Sequence, residues 1–294
     1  DLLRGGQIVA IPTETVYGLA ADASNADAVA HIYAAKGRPD FNPLIVHVPD
    51  LAAAEELAEF GPLARTLAEA LWPGALTLVL PLREGAPVAA AVTAGLPTIA
   101  LRCPAHPVMQ AVLAKSRLNL AAPSANKSGG ISPTRAEHVL VSLGGAVPMI
   151  LDAGPCKEGL ESTIVAIRLE NIEILRPGPV TAETLHTLTK LQPRQQTVDK
   201  IEAPGQLASH YAPSKPVRLN AKAAQDDEWL IGFGSVAGHD NLSPTADLAQ
   251  AAAHLFDALH RADASPYRSI AVADIPDQGI GVAINDRLKR AATR

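Results

Sequence analysis

Short apolar runs that are typical of β-strands alternate with helix-forming segments along much of this 294-residue chain, and this alternation constrains its fold most. The runs are QIVAI (7–11), LIVHV (44–48), ALTLVL (75–80), TIALR (98–102) and LNLAA (118–122). Helices between successive strands have an apolar face to bury, and a sheet offers the surface for it. The alternation therefore predicts an α/β fold in which helices flank a twisted sheet.

The later strands indicate that this sheet is mixed. We expect strands at PMILD (148–152), STIVAIR (162–168) and IEILR (172–176), and the last two are close enough to pair as a hairpin. A hairpin pairs its strands antiparallel, whereas strands joined through a helix are commonly parallel. Because aromatic residues make up only 3% of the chain, aliphatic side chains and alanine must fill the core.

One helix has clear signals at both ends. In SNADAVAHIYAAKG, Ser24 or Asn25 can cap the start, and Gly37 ends the helix. This places Lys36 in the last helical turn and Arg38 just beyond it. Since helix ends of this kind usually face solvent, we expect both cations to lie on an exposed turn.

Other helices are predicted from periodicity and capping. In TRAEHVLVSLGG, Thr134 and Glu137 have the spacing of a capping box, and Gly144 follows the last periodic residue. Two more helices are predicted over residues 63–71 and from about 106 to 115.

The chain divides into two units. Helical and strand periodicity fades near Leu188, and residues 188–216 contain four prolines among mostly polar residues. This composition predicts a linker between a first domain, 1–187, and a second, 217–294. The strand-like runs VRLN, EWLIGF and SIAVADI, with a helix from about Thr245 to Arg261, predict that the second is a small Rossmann-like α/β domain.

Composition excludes several classes of protein. The chain has 25 Lys and Arg against 30 Asp and Glu, a net charge of −5, which argues against strong direct binding to nucleic acid. Two cysteines, Cys103 and Cys156, can form neither a disulfide framework nor a zinc cluster. We expect a cytoplasmic protein without a membrane span or signal peptide. Because the chain begins DLLRGG without Met, we also expect further residues before Asp1.

Several catalytic motifs are absent from the sequence. It contains no Walker A motif, no G-x-S-x-G elbow, and no H-E-x-x-H or carboxylate–histidine cluster that would indicate a protein-bound metal. In LIGFGSVAG, Gly232, Gly234 and Gly238 follow a strand, but their spacing differs from the dinucleotide-binding fingerprint. We interpret them as turn glycines.

Four polar stretches lie at the ends of predicted strands: PTETVYG, KGRPDFNPL, APSANKSGG and ESTIV. Sites in open α/β sheets gather at strand ends. Any one stretch could be an ordinary turn whose side chains satisfy each other. Together they supply hydroxyls, carboxamides and the cations Lys36 and Arg38, which suits a polyanion such as a nucleoside triphosphate.

The order of these motifs resembles one enzyme family, the threonylcarbamoyl-AMP synthases. Its YrdC-like domain is similar to IPTETVYGLAADA, KGRPDFNPLIVH, TIALRCPAHP, APSANKSGGISPT, ESTIV and ILRPGPV. Further on, HYAPSKP and IPDQGIGVAINDRLKRAA resemble the linker and C-terminal domain of the family's long form. One departure is PGQLASHYAP, where Ala208 and Ser209 stand in a region that usually holds a basic residue.

The resemblance implies a reaction and its partners. The family condenses L-threonine, bicarbonate and ATP to threonylcarbamoyl-AMP and pyrophosphate, with Mg²⁺ accompanying ATP. A downstream tRNA threonylcarbamoyl transferase then modifies adenosine 37 of tRNA. The linker would fold back over the pocket with Tyr211, whereas the alternative is a solvated tether with Tyr211 exposed.

The resemblance also implies site residues. The catalytic, phosphate-binding set is Lys36, Arg38, Ser124 and Asn126. The further ATP contacts are Asn42, Thr98, Ser132, Arg176 and Tyr211. The threonine pocket is formed by Thr15, His47, Arg102, Ser162 and the backbone at Ala122. A guanidinium is the natural bidentate partner of an amino-acid carboxylate, whereas His47 lies in an apolar strand and could equally be a core histidine.

Two alternatives remain open at this point. One is a carbamoyl-adenylate-forming enzyme of the hydrogenase-maturation type, which shares the YrdC-like domain but also carries a zinc-finger extension. The other is a non-catalytic RNA-binding module, against which the acidic net charge and scarcity of aromatic residues argue.

Overall fold

The computed structural model describes residues 1–168, 171–195, 202–206 and 210–293. An N-terminal unit, residues 1–195, is built on a nine-stranded sheet, and a C-terminal unit, residues 217–293, on a four-stranded sheet. Residues 196–216 form the connecting segment between them. None of the described helices is long and apolar enough to cross a membrane.

The N-terminal unit alternates short strands with helices. Its strands are β1 (Val9–Ile11), β2 (Gly18–Asp22), β3 (Ile45–His47), β4 (Leu76–Pro81), β5 (Thr98–Arg102), β6 (Leu120–Ala121), β7 (Thr163–Arg168), β8 (Asn171–Arg176) and β9 (Arg194–Gln195). Its helices are α1 (Ala26–Lys36), α2 (Leu51–Glu55), α3 (Pro62–Leu71), α4 (Ala90–Thr93), α5 (Pro107–Ser116), α6 (Ala136–Leu143) and α7 (Ala182–Thr189).

The large sheet is mixed, as predicted. Its strand order is β1-β2-β6-β3-β5-β4-β7-β8-β9. The pairs β3–β5, β4–β7 and β8–β9 are parallel, and the other neighbours are antiparallel, including the predicted β7–β8 hairpin. Helices cover the sheet and share one large aliphatic core with it. The predicted α/β class with a mixed sheet is therefore confirmed.

Helix α1 agrees closely with the sequence signals. The Asn25 side chain accepts a hydrogen bond from the Ala28 N–H at the start, and Gly37 caps the end with φ 58°. Glycine adopts this left-handed conformation without the steric cost that a Cβ imposes. The chain turn that delivers Lys36 and Arg38 is thus set by local sequence.

Three local predictions are wrong. PMILD forms only an isolated bridge, Ile150 with Ala10, in which Ala10 bonds to Met149 and Leu151. The capping box is absent: Arg135 is the N-cap, and the Thr134 N–H donates instead to His138 Nδ1 at 3.3 Å. The linker starts later than residue 188, since α7 continues to Thr189 and β9 adds a strand to the sheet.

The C-terminal unit is a small parallel α/β domain, in agreement with its sequence pattern. Its elements are β10 (Val217–Arg218), β11 (Glu228–Gly232), β12 (Asp240–Asn241), α8 (Leu248–Ala264), β13 (Ser269–Val272) and α9 (Gly281–Ala292). A Cβ at Gly232 or Gly238 would lie 2.1 Å from the Val236 oxygen or 2.4 Å from the Leu230 oxygen. Both glycines therefore allow close backbone packing, but Gly232 is the last residue of β11 and the turn prediction is wrong for it. Gly234, with φ 56°, lies in the turn that follows, as predicted.

The two units share a core. Val16, Ile131 and Leu160 of the N-terminal unit belong to the same buried cluster as Phe256 of α8 and Ile284 of α9. At the edge of this contact, the rings of His138 (α6) and His260 (α8) stack with centroids 3.8 Å apart. The Asp257 carboxylate accepts from Arg135 Nε at 3.0 Å and lies 3.4 Å from His138 Nε2.

The stacked histidines predict an acid-sensitive contact. Burial, and to a smaller extent repulsion from the neighbouring His138, lowers the pKa of His260 to about 4. The usual histidine value is about 6.5. A folded-state pKa below the unfolded value means that the stabilisation is complete above about pH 6.5 and is lost as the pH falls towards 4.

We therefore expect His260→Gln to reduce the fall in Tm between about pH 7.5 and pH 5, because glutamine retains an N–H donor but cannot take up a proton. Thermal unfolding monitored by circular dichroism at both pH values checks this. His254→Gln, an exposed position on the same helix, is the control and should leave the pH dependence as in the wild type. An equal fall in Tm for His260→Gln and wild type would contradict the assignment.

Candidate functional site

A narrow pocket lies where strand ends of the large sheet meet the connecting segment. The free space inside it is about 40 Å³, which is room for only a few water molecules. The predicted residues that line it are Thr15, Arg38, His47, Arg102, Ala122, Ser124, Ser162, Arg176 and Tyr211. Motifs separated by up to about two-thirds of the chain thus meet at one place.

Lys36 and Arg38 are buried, and the prediction that both lie on an exposed turn is wrong. Lys36 is 3% exposed and Arg38 is 9% exposed. The reason is tertiary: the loop after β6 covers the end of α1, with the Ser128 N–H donating to the Lys36 carbonyl at 2.9 Å. The Lys36 ammonium donates to the carbonyl oxygens of Ser124 and Asn126.

Backbone carbonyl oxygens, and no carboxylate of the described residues, surround these two cations. Arg38 donates from Nε to the Asn42 carbonyl at 3.1 Å and from Nη2 to the Pro43 carbonyl at 2.7 Å. Among the described residues, neither Lys36 nor Arg38 forms an ion pair with a carboxylate. Burial, together with repulsion from the Arg38 charge, lowers the pKa of Lys36 well below its ordinary value. Burial also lowers the pKa of Arg38, to about 10.

Arg102 is held more firmly, by side chains from the first polar stretch. Its Nη1 donates to Thr15 Oγ1 at 2.8 Å, its Nη2 to the Glu14 carboxylate, and its Nε to the Gly74 carbonyl at 3.1 Å. The second Glu14 oxygen accepts from the Ala105 N–H at 3.1 Å. Although burial raises the pKa of Glu14, the Arg102 guanidinium lowers it overall, so the carboxylate is ionised.

His47 lies beside Arg102, because β3 and β5 pair with these two residues as Cα partners. Its side chain is buried but lines the pocket, and Nδ1 has no hydrogen-bond partner among the described residues. Burial and then the Arg102 charge lower the pKa of His47 to about 3. The ring is therefore neutral and presents an unpaired nitrogen, unlike a satisfied core histidine.

Arg176 connects the sheet to the connecting segment. Its Nε and Nη2 donate to the Ser162 carbonyl at 3.1 and 2.9 Å, and its Nη1 to the Pro204 carbonyl at 3.5 Å. Tyr211 is 1% exposed and lines the same pocket. The alternative of an exposed Tyr211 on a solvated tether is wrong for this structure.

The remaining predicted residues lie around the pocket rather than in its lining. Both side-chain amide atoms of Asn42 are buried without a partner among the described residues. Asn126 Nδ2 donates to the carbonyls of Lys127 and Gly130, at 2.8 and 2.9 Å. The Ser132 hydroxyl donates to the Glu161 carboxylate. Thr98 begins β5 opposite Pro81 and does not line the pocket.

Sequence reasoning missed the functional environment of three residues. Glu14 and Glu161 belong to the motifs PTETVYG and ESTIV. Carboxylates are not expected in a pocket that binds a polyanion unless each is paired with a cation. Only the fold shows that both have arginine partners. His210 also lines the pocket; its place beside Tyr211 in HYAP was the available signal. Ala208 and Ser209, where the sequence departs from the family pattern, lie outside the described residues.

Gly205 is a position in the closed pocket that has no room for a side chain. Its φ is 87°, and a Cβ would lie 2.8 Å from both Arg176 Cδ and Tyr211 Oη. We expect Gly205→Ala to displace Tyr211 and expose the connecting segment, which limited proteolysis of the full chain measures. Gly85→Ala is the matched control: its φ of 72° imposes a similar backbone cost, of roughly 1–2 kcal/mol, with nothing within 4 Å of the new Cβ. Equal cleavage rates in both variants would show that Gly205 is not a packing constraint.

Two family models together cover nearly the whole chain. The model for the Sua5, YciO and YrdC proteins, described as "Telomere recombination", matches residues 1–178. The model described as "Threonylcarbamoyl-AMP synthase, C-terminal domain" matches residues 180–293.

Individual relatives agree with the family models. The threonylcarbamoyl-AMP synthase of Bacillus subtilis is 40% identical over 99% of this chain and 91% of its own. That of Pyrococcus abyssi is 36% identical over 99% and 92%. Among solved structures, P. abyssi Sua5 complexed with L-threonine has a TM-score of 0.90 at 35% identity, covering 99% of this chain and 92% of its own.

A weaker likeness concerns the fold alone. A structure of full-length HypF matches 62% of this chain and 29% of its own, with a TM-score of 0.54 and 20% identity. The whole-chain matches confirm the fold class, the enzyme class and the resemblance predicted from the sequence, and they favour neither alternative. This chain belongs to the threonylcarbamoyl-AMP synthase family.

Proposed function

We propose that this chain condenses L-threonine, bicarbonate and ATP to threonylcarbamoyl-AMP and pyrophosphate, through the pocket described above. The observation that carries the proposal is an excess of buried positive charge. Arg38 and Arg176 line this pocket, and the Lys36 ammonium lies next to it on the Ser124 carbonyl. Among the described residues, each of the three is held mainly by backbone carbonyl oxygens rather than by a carboxylate. A triphosphate supplies the missing negative charge.

The nucleotide half of the site is formed by these cations and the loop after β6. Lys36 acts as a point charge, while Arg38 and Arg176 offer planar donors to phosphate oxygens. Ser124 lines the pocket next to them. The Asn42 side-chain amide, which has no partner among the described residues, lies close by, since the main-chain carbonyl of Asn42 accepts from Arg38. Asn126, Ser132, Thr98 and Tyr211 remain predicted ATP contacts.

The threonine half of the site is centred on Arg102. A guanidinium has five N–H donors, and three of its nitrogens already donate to Gly74, Thr15 and Glu14. Each terminal nitrogen keeps one further N–H, so two donors remain for the substrate carboxylate. Neutral His47, with its unpaired Nδ1, and the Ser162 hydroxyl can bind the amine or hydroxyl of threonine.

The chemistry requires positioning more than acid–base catalysis. Threonine's amine and bicarbonate form a carbamate with loss of water. A carbamate oxygen attacks the α-phosphorus, the bond to the bridging oxygen breaks, and pyrophosphate leaves with its electron pair. Because the nucleophile is already an anion, the protein must align it and neutralise charge on the phosphates, which preorganised cations do.

Mg²⁺ enters this proposal as part of the nucleotide substrate. Glu161 is the one carboxylate in the described pocket lining, and its two oxygens already accept from Ser132 and Arg287. The protein residues therefore fit an ion held by phosphate oxygens better than one held by side chains. Bound there, it would add to the neutralisation of the triphosphate.

The connecting segment would have to move for ATP to enter. The free space of about 40 Å³ is far smaller than a nucleotide, and Pro204, Gly205, His210 and Tyr211 occupy one side of the pocket. We propose that this segment opens to admit substrates and closes over them, which keeps water from the carbamate and the mixed anhydride.

The product must pass to a second enzyme. Threonylcarbamoyl-AMP is an activated mixed anhydride, so we propose that a tRNA threonylcarbamoyl transferase uses it in the same compartment, the cytoplasm. The acidic net charge of −5 agrees with a chain that delivers this product without gripping tRNA strongly itself.

Pyrophosphate release tests the proposed function. Release from ATP should require both threonine and bicarbonate, and Lys36→Met should lower the rate by at least about 100-fold, since a preorganised charge in a water-excluded site is lost. The variant should keep the wild-type fold by circular dichroism, because methionine fills a similar volume. Wild-type release that is independent of threonine or bicarbonate would overturn the proposal.

Arg102→Lys tests the assignment of the two halves. We expect the KM for threonine to rise by about 10-fold or more, and the KM for ATP to change little, because an ammonium cannot replace a bidentate fork that also bonds Glu14 and Thr15. Steady-state kinetics with each substrate varied in turn measure this. A rise confined to the KM for ATP would place Arg102 in the nucleotide half.

A further inference from the structure

The C-terminal unit contributes one charged side chain to the wall behind the pocket. Arg287 belongs to α9, and its side chain is 0% exposed. Its Nε donates to Glu161 Oε2 at 2.8 Å, and its Nη1 to Asp286 Oδ2 at 2.7 Å. A fully buried arginine is costly unless it is paired, so this contact between the two units is specific.

Arg287 contacts the pocket through two different groups. Glu161 lines the pocket, and its other oxygen accepts from the Ser132 hydroxyl. The Arg287 guanidinium also lies over the Tyr211 ring, with its central carbon 5.1 Å from the ring centroid. The same ring packs against Phe256 of α8 with centroids 5.6 Å apart. Tyr211 is therefore held from outside by two helices of the C-terminal unit.

We propose that Arg287 is a positioning residue for the nucleotide half of the site, through which the C-terminal unit holds the Glu161 carboxylate and the Tyr211 ring in the closed arrangement. Arg287 is not part of the pocket lining, so it acts through these two groups and not on the substrate. This inference rests on the proposed function for its kinetic consequences, but the clamp on Tyr211 is independent of the reaction.

The charges around Glu161 explain why such a residue is needed. Burial raises the pKa of this carboxyl, whereas the charge of Arg287, and to a smaller extent that of Arg176, lowers it. The pKa of Glu161 is lowered overall. If Arg287 is removed, Arg176 is the remaining cation that lowers the pKa of Glu161, helped by the hydrogen bond from the Ser132 hydroxyl. Arg176 would then be drawn towards Glu161 and away from phosphate, and the Tyr211 ring would lose its cationic partner.

Arg287→Met is the main test, in the full chain, with Lys289→Met as its control. Lys289 is an exposed cation on the same helix, so its replacement removes the same charge without touching Glu161 or Tyr211. We expect Arg287→Met to lower kcat by about 10-fold or more and to shift the acid limb of the kcat profile to higher pH. Glu161→Gln in the same background should abolish that shift.

A second readout needs no catalysis. The Ala212 N–H donates to the Gly129 carbonyl at 2.8 Å, so its hydrogen exchange reports closure next to Tyr211. Arg287→Met should accelerate this exchange by about 10-fold or more, and Lys289→Met should not. If Arg287→Met does not fold, Arg287→Lys replaces it: lysine can pair with Glu161 but lacks the planar guanidinium, so exchange should rise while the pH profile stays as in the wild type.

The outcomes separate the two proposals. A wild-type chain that makes no threonylcarbamoyl-AMP overturns the proposed function, while the exchange of Ala212 still decides the clamp. An active wild type, with an Arg287→Met variant that loses Tm but keeps wild-type kcat, pH profile and Ala212 exchange, overturns the inference. Arg287 would then only fasten one unit to the other.

Discussion

A local excess of buried positive charge is the constraint on which the rest of the structure depends. The described residues bury five cations in and around one pocket, Lys36, Arg38, Arg102, Arg176 and Arg287, against the carboxylates of Glu14 and Glu161. Each unpaired charge is expensive in a low-dielectric interior. The fold bears this cost by surrounding the cations with oriented carbonyl oxygens from loops at strand ends. An arrangement that is unfavourable by itself becomes favourable when an anion completes it, which is why the charge excess indicates function.

The two carboxylates divide the site in a way that no single motif reveals. Glu14 pairs with Arg102 and leaves that guanidinium two free donors in a fixed plane. Glu161 pairs with Arg287 across the contact between the units. Among the described residues, the cations without a carboxylate partner are those of the proposed nucleotide half, where a triphosphate would bring the most charge. The pairing with Glu14 would thus suit Arg102 to a substrate carboxylate, while Arg38 and Arg176 would remain available for phosphates.

Features that depend on residues close together in the sequence were predictable, whereas features that depend on distant residues were not. The ends of α1 were predictable because Asn25 and Gly37 act locally, and the β7–β8 hairpin because only two residues of the sequence separate its strands. Strand β2, GLAAD, was missed, since small buried residues carry no β-branched signal. The burial of Lys36 and Arg38 was mispredicted because the loop that covers them lies about 90 residues away along the chain. The family resemblance located most of the pocket, but the pairing of Glu14 and Glu161 needed the fold.

In the proposed mechanism, burial of the cations and closure of the connecting segment are two aspects of one equilibrium. With Tyr211 in place, the pocket holds only about 40 Å³ of free space, and burial lowers the pKa values of Lys36 and Arg38. In that mechanism, opening of the segment would rehydrate both cations and remove that cost, so the charges would favour the open form until an anion binds. A bound triphosphate reverses the balance, because its attraction to the cations is strongest when water is excluded. In the proposed reaction, the nucleotide whose charge favours closure is thus the one from which the water-sensitive mixed anhydride forms.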